Sequence, residues 1–188
     1  DHTKKILFHP KMLPGKVIAD PALTRDLPAK LTAATGMDAL SHNLEALCAP
    51  GFHPLADGVA AEGIRLVQQA LLPAVQDGHD IDARARMMAA SLMGATAFQK
   101  GLGAMHSVAH VVGARLDAHH GLLNAIVMPY VLVHNRVAIE DRLCNQARSM
   151  GFEPTFEAFL GWVLALKREL GIPATLDAVG LTEAHVPT

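Results

Sequence analysis

Cysteine is scarce in this chain. Cys48 and Cys144 are the only two in 188 residues, too few for a disulfide framework and without the paired spacing of a thiolate zinc site. A reducing compartment is the simplest setting, and a cytoplasmic protein is expected. Aromatic residues make up 4%, the net charge is −2 and no block of Lys and Arg occurs. That composition argues against a nucleic-acid surface, which needs a basic face. No window is long and apolar enough to cross a membrane, and no charged-then-apolar leader is visible at the start. A glycine-rich phosphate loop, the mark of a dinucleotide-binding βαβ unit, is also missing.

Apolar residues, by contrast, make up 51%, enough for a single core without cross-links. Residues 5–8 (KILF) and 16–20 (KVIAD), separated by HPKMLPG, read as a pair of short strands. Such a pair is unstable alone and reads as the tail of a preceding domain. From Pro28 the pattern turns helical, with Leu31, Ala34, Leu40, Leu44 and Leu47 at spacings of three and four. Further helices are expected over 55–75, over 83–100 with Asp80 or Asp82 as cap, and over Ala104 to about Leu116. HHG then reads as a turn. The next three helices are expected over 122–135, disturbed at Pro129, over 137–151 with Gly151 as its stop, and over 156–170 capped by Thr155. The fold class is mainly α, a helical bundle over 28–188, with residues 1–27 as the remnant of another domain.

Histidine is the residue in excess, eleven in all. His2, His9, His53, His79, His134 and His185 sit where loop or surface residues are expected. The other five fall in two apolar stretches, GMDALSHNLEA (36–46) and GAMHSVAHVVGARLDAHHG (103–121). Four residues is a little over one helical turn, so Asp38 and His42 share a helix face, as do His106 and His110. Two such pairs on facing helices can converge in a bundle core, and His119 or His120 follows from the next turn. One carboxylate with three neutral imidazoles suits Fe(II) or Zn(II). It leaves a net charge of +1 on a divalent site, which favours an oxygen anion and Lewis-acid chemistry. Each residue also has a structural reading: Asp38 as a helix cap, His42 bonded to a carbonyl, the HH pair as a turn. Buried imidazoles need partners, and the joint pattern supplies a reason for them. Spacing alone does not choose ligands among His106, His110, His119 and His120. HSVAH lacks the glutamate of the zinc-protease helix HExxH.

The stretches LTAATGMDALSHNLEA and GLGAMHSVAHVVGARLDAHHGLLNAIVMPYVLVHN together resemble the iron-containing alcohol dehydrogenase family, whose relatives include lactaldehyde reductase, butanol dehydrogenase and maleylacetate reductase. The resemblance implies the helical C-terminal domain of the dehydroquinate synthase-like fold. It implies an NAD(P)-linked oxidoreductase that interconverts a small-molecule alcohol and its aldehyde or ketone. Carried over, the metal ligands fall on Asp38, His42, His106 and His120, with Fe2+ or Zn2+ as the ion. His110 matches a histidine near substrate and nicotinamide that is not a ligand, a catalytic candidate for proton relay. His119 stands where many relatives have another residue. Lys4, Leu23 and Thr24 fall where relatives approach the cofactor. The chain opens on Asp1 and stops at Thr188, where members of the family run on, so it reads as a fragment that is inactive alone. A homodimer is expected, with no nucleic-acid or membrane partner. The rival readings are a zinc glycerol-dehydrogenase type, a metal-free maleylacetate-reductase type, and a non-catalytic metal-binding or oligomerisation module with an exposed apolar stripe on LLNAIVMPYVLV.

Overall fold

The helix that opens the bundle, α1 (Ala29–Cys48), starts after Pro28, whose fixed φ and missing N–H suit the boundary. Thirteen of its twenty residues are buried, from Thr32 to Leu47. It is apolar on most of its circumference because it packs on several helices at once: α2 (Pro54–Gln76), α3 (Ile81–Ala97), α5 (His120–His134) and α6 (Arg136–Ser149). Between these lie α4 (Ala104–Leu116), which packs on α5, and α7 (Phe156–Glu169), which packs on α5 and α6. One core runs through the molecule, with Met37, Leu40 and Leu44 of α1 meeting Ile64 and Leu71 of α2, Met128 of α5, Leu143 of α6 and Phe159 of α7. This computed structural model describes Leu7 and residues 9–185.

The helix boundaries follow local chemistry. Asp80 accepts from the Ala83 N–H to cap α3, and Thr155 does the same for Ala158 on α7. His53, expected at the surface, accepts from the Ala56 N–H and caps α2. Gly151 and Gly171, just past α6 and α7, take positive φ values of 83° and 65°, where a side chain would be strained. Pro129 does not end α5, which continues to His134. Its ring removes the N–H that would reach the carbonyl four residues back. One residue on, the buried Lys167 donates from Nζ to the Ile126 carbonyl at 3.0 Å.

Two sequence expectations change. Among the described residues there is no strand: 16–20 has no regular structure and is exposed, Leu7 has no regular structure either, and the rest of 5–8 lies outside the described residues. A two-residue-period segment gains ladder bonds only from a paired neighbour, and 16–20 has none among the described residues. The HHG turn is instead a helix start. His119 caps α5, accepting from the Leu122 N–H at 3.4 Å, and His120 is its first residue. The apolar stripe of α5 is largely internal, with Leu123, Ile126, Met128 and Leu132 buried and Tyr130 and Val133 exposed. No single described helix is long and apolar enough to cross a membrane.

Polar side chains tie the helices where the site is built. Asn43 donates from Nδ2 to the carbonyls of Ala39, at 2.8 Å, and Ala90, at 2.9 Å, joining α1 to α3. The close approach depends on Gly94, where a methyl group would lie 2.9 Å from the His42 Cβ. Buried Arg84 of α3 donates to Thr32 Oγ1 at 2.8 Å, to the Leu27 carbonyl at 3.2 Å and to the Gly78 carbonyl at 3.1 Å. It fastens the segment that precedes α1.

Candidate metal centre

Three helices bring the site together. Asp38 and His42 stand one turn apart on α1, His106 comes from the first turn of α4, and His120 opens α5. One donor atom each from Asp38, His42 and His106 lie within 4.8 Å of one another. His106 Nε2 is 3.8 Å from Asp38 Oδ1, and His120 Nε2 is 3.7 Å from the same oxygen. The rings are close as well: His42 stacks on His106 with centroids 4.7 Å apart, and His120 lies 5.3 Å from His106. His120 therefore joins the group through Asp38, outside the tight three-residue cluster.

These residues fit a divalent ion on the chemistry of their donors. His106 is 3% exposed, and its Nε2 is buried without a hydrogen-bond partner, a costly state unless something accepts its lone pair. Its Nδ1 lies 2.7 Å from Glu45 Oε2. A carboxylate can only accept, so a proton sits on Nδ1, and in the neutral ring the lone pair of Nε2 faces Asp38. Burial holds His42 below its ordinary pKa, with Asp38 opposing and His106 adding to the effect, which keeps the imidazole neutral as a ligand must be. Metal–donor bonds of 2.0–2.2 Å in a tetrahedron place ligand atoms about 3.3–3.6 Å apart. The separations of 3.7 and 3.8 Å exceed that by a few tenths of an ångström.

Glycine makes the position of His120 possible. A side chain at Gly121 would overlap the Ala34 carbonyl oxygen and lie 3.0 Å from the Asp38 Cβ. Only glycine lets the start of α5 lie this close to α1.

His110 stands beside the cluster. It is half-buried, edge-on to His106 at 6.1 Å between centroids and 5.1 Å from the His120 ring. His119 is exposed and occupied as a helix cap. Thr24 and Leu23 lie on a short 3-10 turn, Pro21–Thr24, where the Thr24 hydroxyl donates to the Pro21 carbonyl at 2.8 Å and Leu23 is 82% exposed. Lys4 lies outside the described residues.

Two site residues escape sequence reasoning. Glu45 is three residues from His42 and seven from Asp38, so it shares their helix face, but its bond to His106 spans 61 residues. Burial pushes the Glu45 carboxyl upward, and the His106 ring with the Gly103 and Met105 backbone amides more than reverses this, leaving it below its ordinary value. Asn124, one turn after His120, donates from Nδ2 to Asp38 Oδ1 at 2.7 Å and stands 3.1 Å from His120 Nε2.

Comparison with known proteins bears on this geometry. Residues 32–188 match the Fe-containing alcohol dehydrogenase family, C-terminal. The chain is 44% identical to 4-hydroxybutyrate dehydrogenase of Cupriavidus necator, over 97% of this chain and 50% of that protein. The crystal structure of 1,3-propanediol oxidoreductase superposes with a TM-score of 0.84 at 36% identity, over 88% of this chain and 45% of that one. Sulfoacetaldehyde reductase from Bifidobacterium kashiwanohense, solved in complex with NAD+, gives 0.79 at 30% identity, over 88% of this chain and 44% of that one. The chain spans about half the length of the curated relatives it matches. It belongs to the Fe-containing alcohol dehydrogenase family, and it corresponds to the C-terminal, helical part of that family's members.

Proposed function

We propose that this chain is the metal-holding half of an NAD(P)-linked alcohol dehydrogenase, acting reversibly between a small alcohol and its aldehyde or ketone. Asp38, His42, His106 and His120 would hold one divalent ion, Fe2+ or Zn2+. The ion supplies Lewis-acid polarisation of the substrate's oxygen. The observation that carries the reading is the buried, unpartnered Nε2 of His106 facing Asp38. The family match and the relatives named as a hydroxybutyrate dehydrogenase and a propanediol oxidoreductase support the substrate class, and the relative solved with NAD+ supports the cofactor.

The chain's own side chains do the rest. Asp38 contributes the negative charge that a cation needs, and Asn124 orients its carboxylate through Oδ1. The Phe98 ring packs against His42, with centroids 5.3 Å apart and the rings tilted by 35°, and helps hold that imidazole in place. His110, half-buried beside His106 and His120, is placed to hold or pass a proton between substrate and solvent. Leu23 and Thr24 would face the cofactor in the whole protein, on a segment fastened by Arg84.

The reading is tested by metal content. The parent chain, His106→Ala and His120→Ala are loaded with Fe2+ or Zn2+, desalted and measured by inductively coupled plasma mass spectrometry. About one equivalent is expected in the parent and a marked loss in both variants. Equal metal in all three proteins would break the ligand assignment. The reaction class is tested in the whole protein, by NAD(P)H formation from short alcohols and its loss on chelation.

A further inference from the structure

The start of α4 has no cap of its own. Gly103, its N-cap residue, has no side chain to offer, and the first turn carries no acidic residue. Exposed N–H groups at a helix start need an acceptor, and negative charge there is favourable. The acceptor comes from α1. Glu45 Oε1 takes the Met105 N–H at 2.7 Å, and Oε2 takes the His106 ring at 2.7 Å. The space is cut to size: a Cβ at Gly103 would lie 3.0 Å from Oε1. Glu45 is 6% exposed, and both its oxygens are engaged.

We infer that Glu45 is a positioning residue that caps α4 from another helix and, with the same carboxylate, fixes which nitrogen of His106 is offered to the metal. The inference rests on the proposed ligand role of His106. A carboxylate accepts at both oxygens, so it satisfies a backbone N–H and a ring N–H together. An amide in its place has one acceptor and one donor end. If its oxygen keeps the Met105 N–H, its NH2 group faces Nδ1, which must then be unprotonated. The ring proton moves to Nε2 and blocks the lone pair that faces Asp38. Such outer partners of metal-bound histidines typically change affinity 10–100-fold.

The test is Glu45→Gln in the full chain, nearly the same size as the parent residue. Metal affinity is measured by competition with a chromophoric chelator, using Zn2+. The His106 tautomer is read from imidazole 15N shifts in the metal-free protein, and the thermal midpoint of the metal-free form reports folding. The expected result is a Kd raised 10–100-fold, with the ring proton on Nδ1 in the parent and on Nε2 in the variant. Unchanged affinity in a folded variant would overturn the inference. If the variant does not fold, the parent's tautomer decides: a proton on Nε2 overturns it and one on Nδ1 supports it. If the parent itself binds no Zn2+, the ligand assignment fails, and the tautomer in parent and variant still decides whether Glu45 sets the ring.

Discussion

Asn124 of α5 donates to Asp38 Oδ1 of α1 across 2.7 Å, while the same nitrogen stands 3.1 Å from His120 Nε2. The amide's two N–H groups thus offer partial positive charge to two residues proposed as ligands, much as a cation would. Asn124→Ala removes the donor and leaves the carboxylate short of a partner. A hydrogen bond to a charged group is worth about 1.5–3 kcal/mol, and a loss of that order is expected in the metal-free protein. Urea unfolding with a chelator present measures it. A change under about 0.5 kcal/mol, the level of an ordinary surface substitution, would show that water replaces the amide at no cost.

Gly121 and Gly161 make a matched pair of tests. Both lie within helices, but a methyl group at Gly121 meets the Ala34 carbonyl and Asp38, whereas at Gly161 it meets nothing within 4 Å. Gly121→Ala is expected to cost about 1–3 kcal/mol by overpacking and to lower bound metal by pushing His120 from Asp38. Gly161→Ala is expected to stabilise by about 0.5–1 kcal/mol through helix propensity. Chemical denaturation and metal analysis of the two variants check this. A Gly121→Ala protein with parental stability and full metal would mean that α5 can slide without disturbing the site.

Lys167 gives a pH signature remote from the metal. Burial pushes its ammonium from 10.5 down to about 8, and its Nζ has the Ile126 carbonyl as partner. Below about pH 8 both folded and unfolded chains carry the proton, and the full burial penalty opposes folding. Between about 8 and 10.5 the unfolded chain still binds a proton that the folded chain has released, so this group makes stability rise with pH. Lys167→Met removes the titration. The difference in unfolding free energy between parent and variant, measured from pH 7 to 10, is expected to shift in the parent's favour above pH 8. A difference that stays flat would show that the lysine keeps its ordinary pKa.

The helices were legible because their period and punctuation are local. Ala104–Leu116 has the expected bounds, and Thr155 and Asp80 cap as their position suggests. Asp38, His42 and the histidines of 106–120 could be singled out as candidates because helical spacing and apolar flanks are written in the chain, while the choice of His106 among them came from the family resemblance. Glu45 could not, since its meaning depends on a partner 61 residues away, and an isolated glutamate on a helix is ordinarily a solvated one. His120 looked like part of a turn because two histidines before a glycine resemble a loop. The local pattern does not reveal that Gly121 is there for contact with α1. The apolar run at 16–20 has the composition of a strand, and among the described residues no neighbour pairs with it to make it one.

The placement of α1 has one more consequence. Asp38 and His42 sit on the most enclosed helix of the bundle, in contact with α2, α3, α5 and α6. Backbone amides in such a segment exchange with solvent mainly when the whole domain opens. Motions faster than global unfolding are therefore expected at the beginnings of α4 and α5, the less encased rods that carry His106 and His120, while the segment that carries Asp38 and His42 stands still.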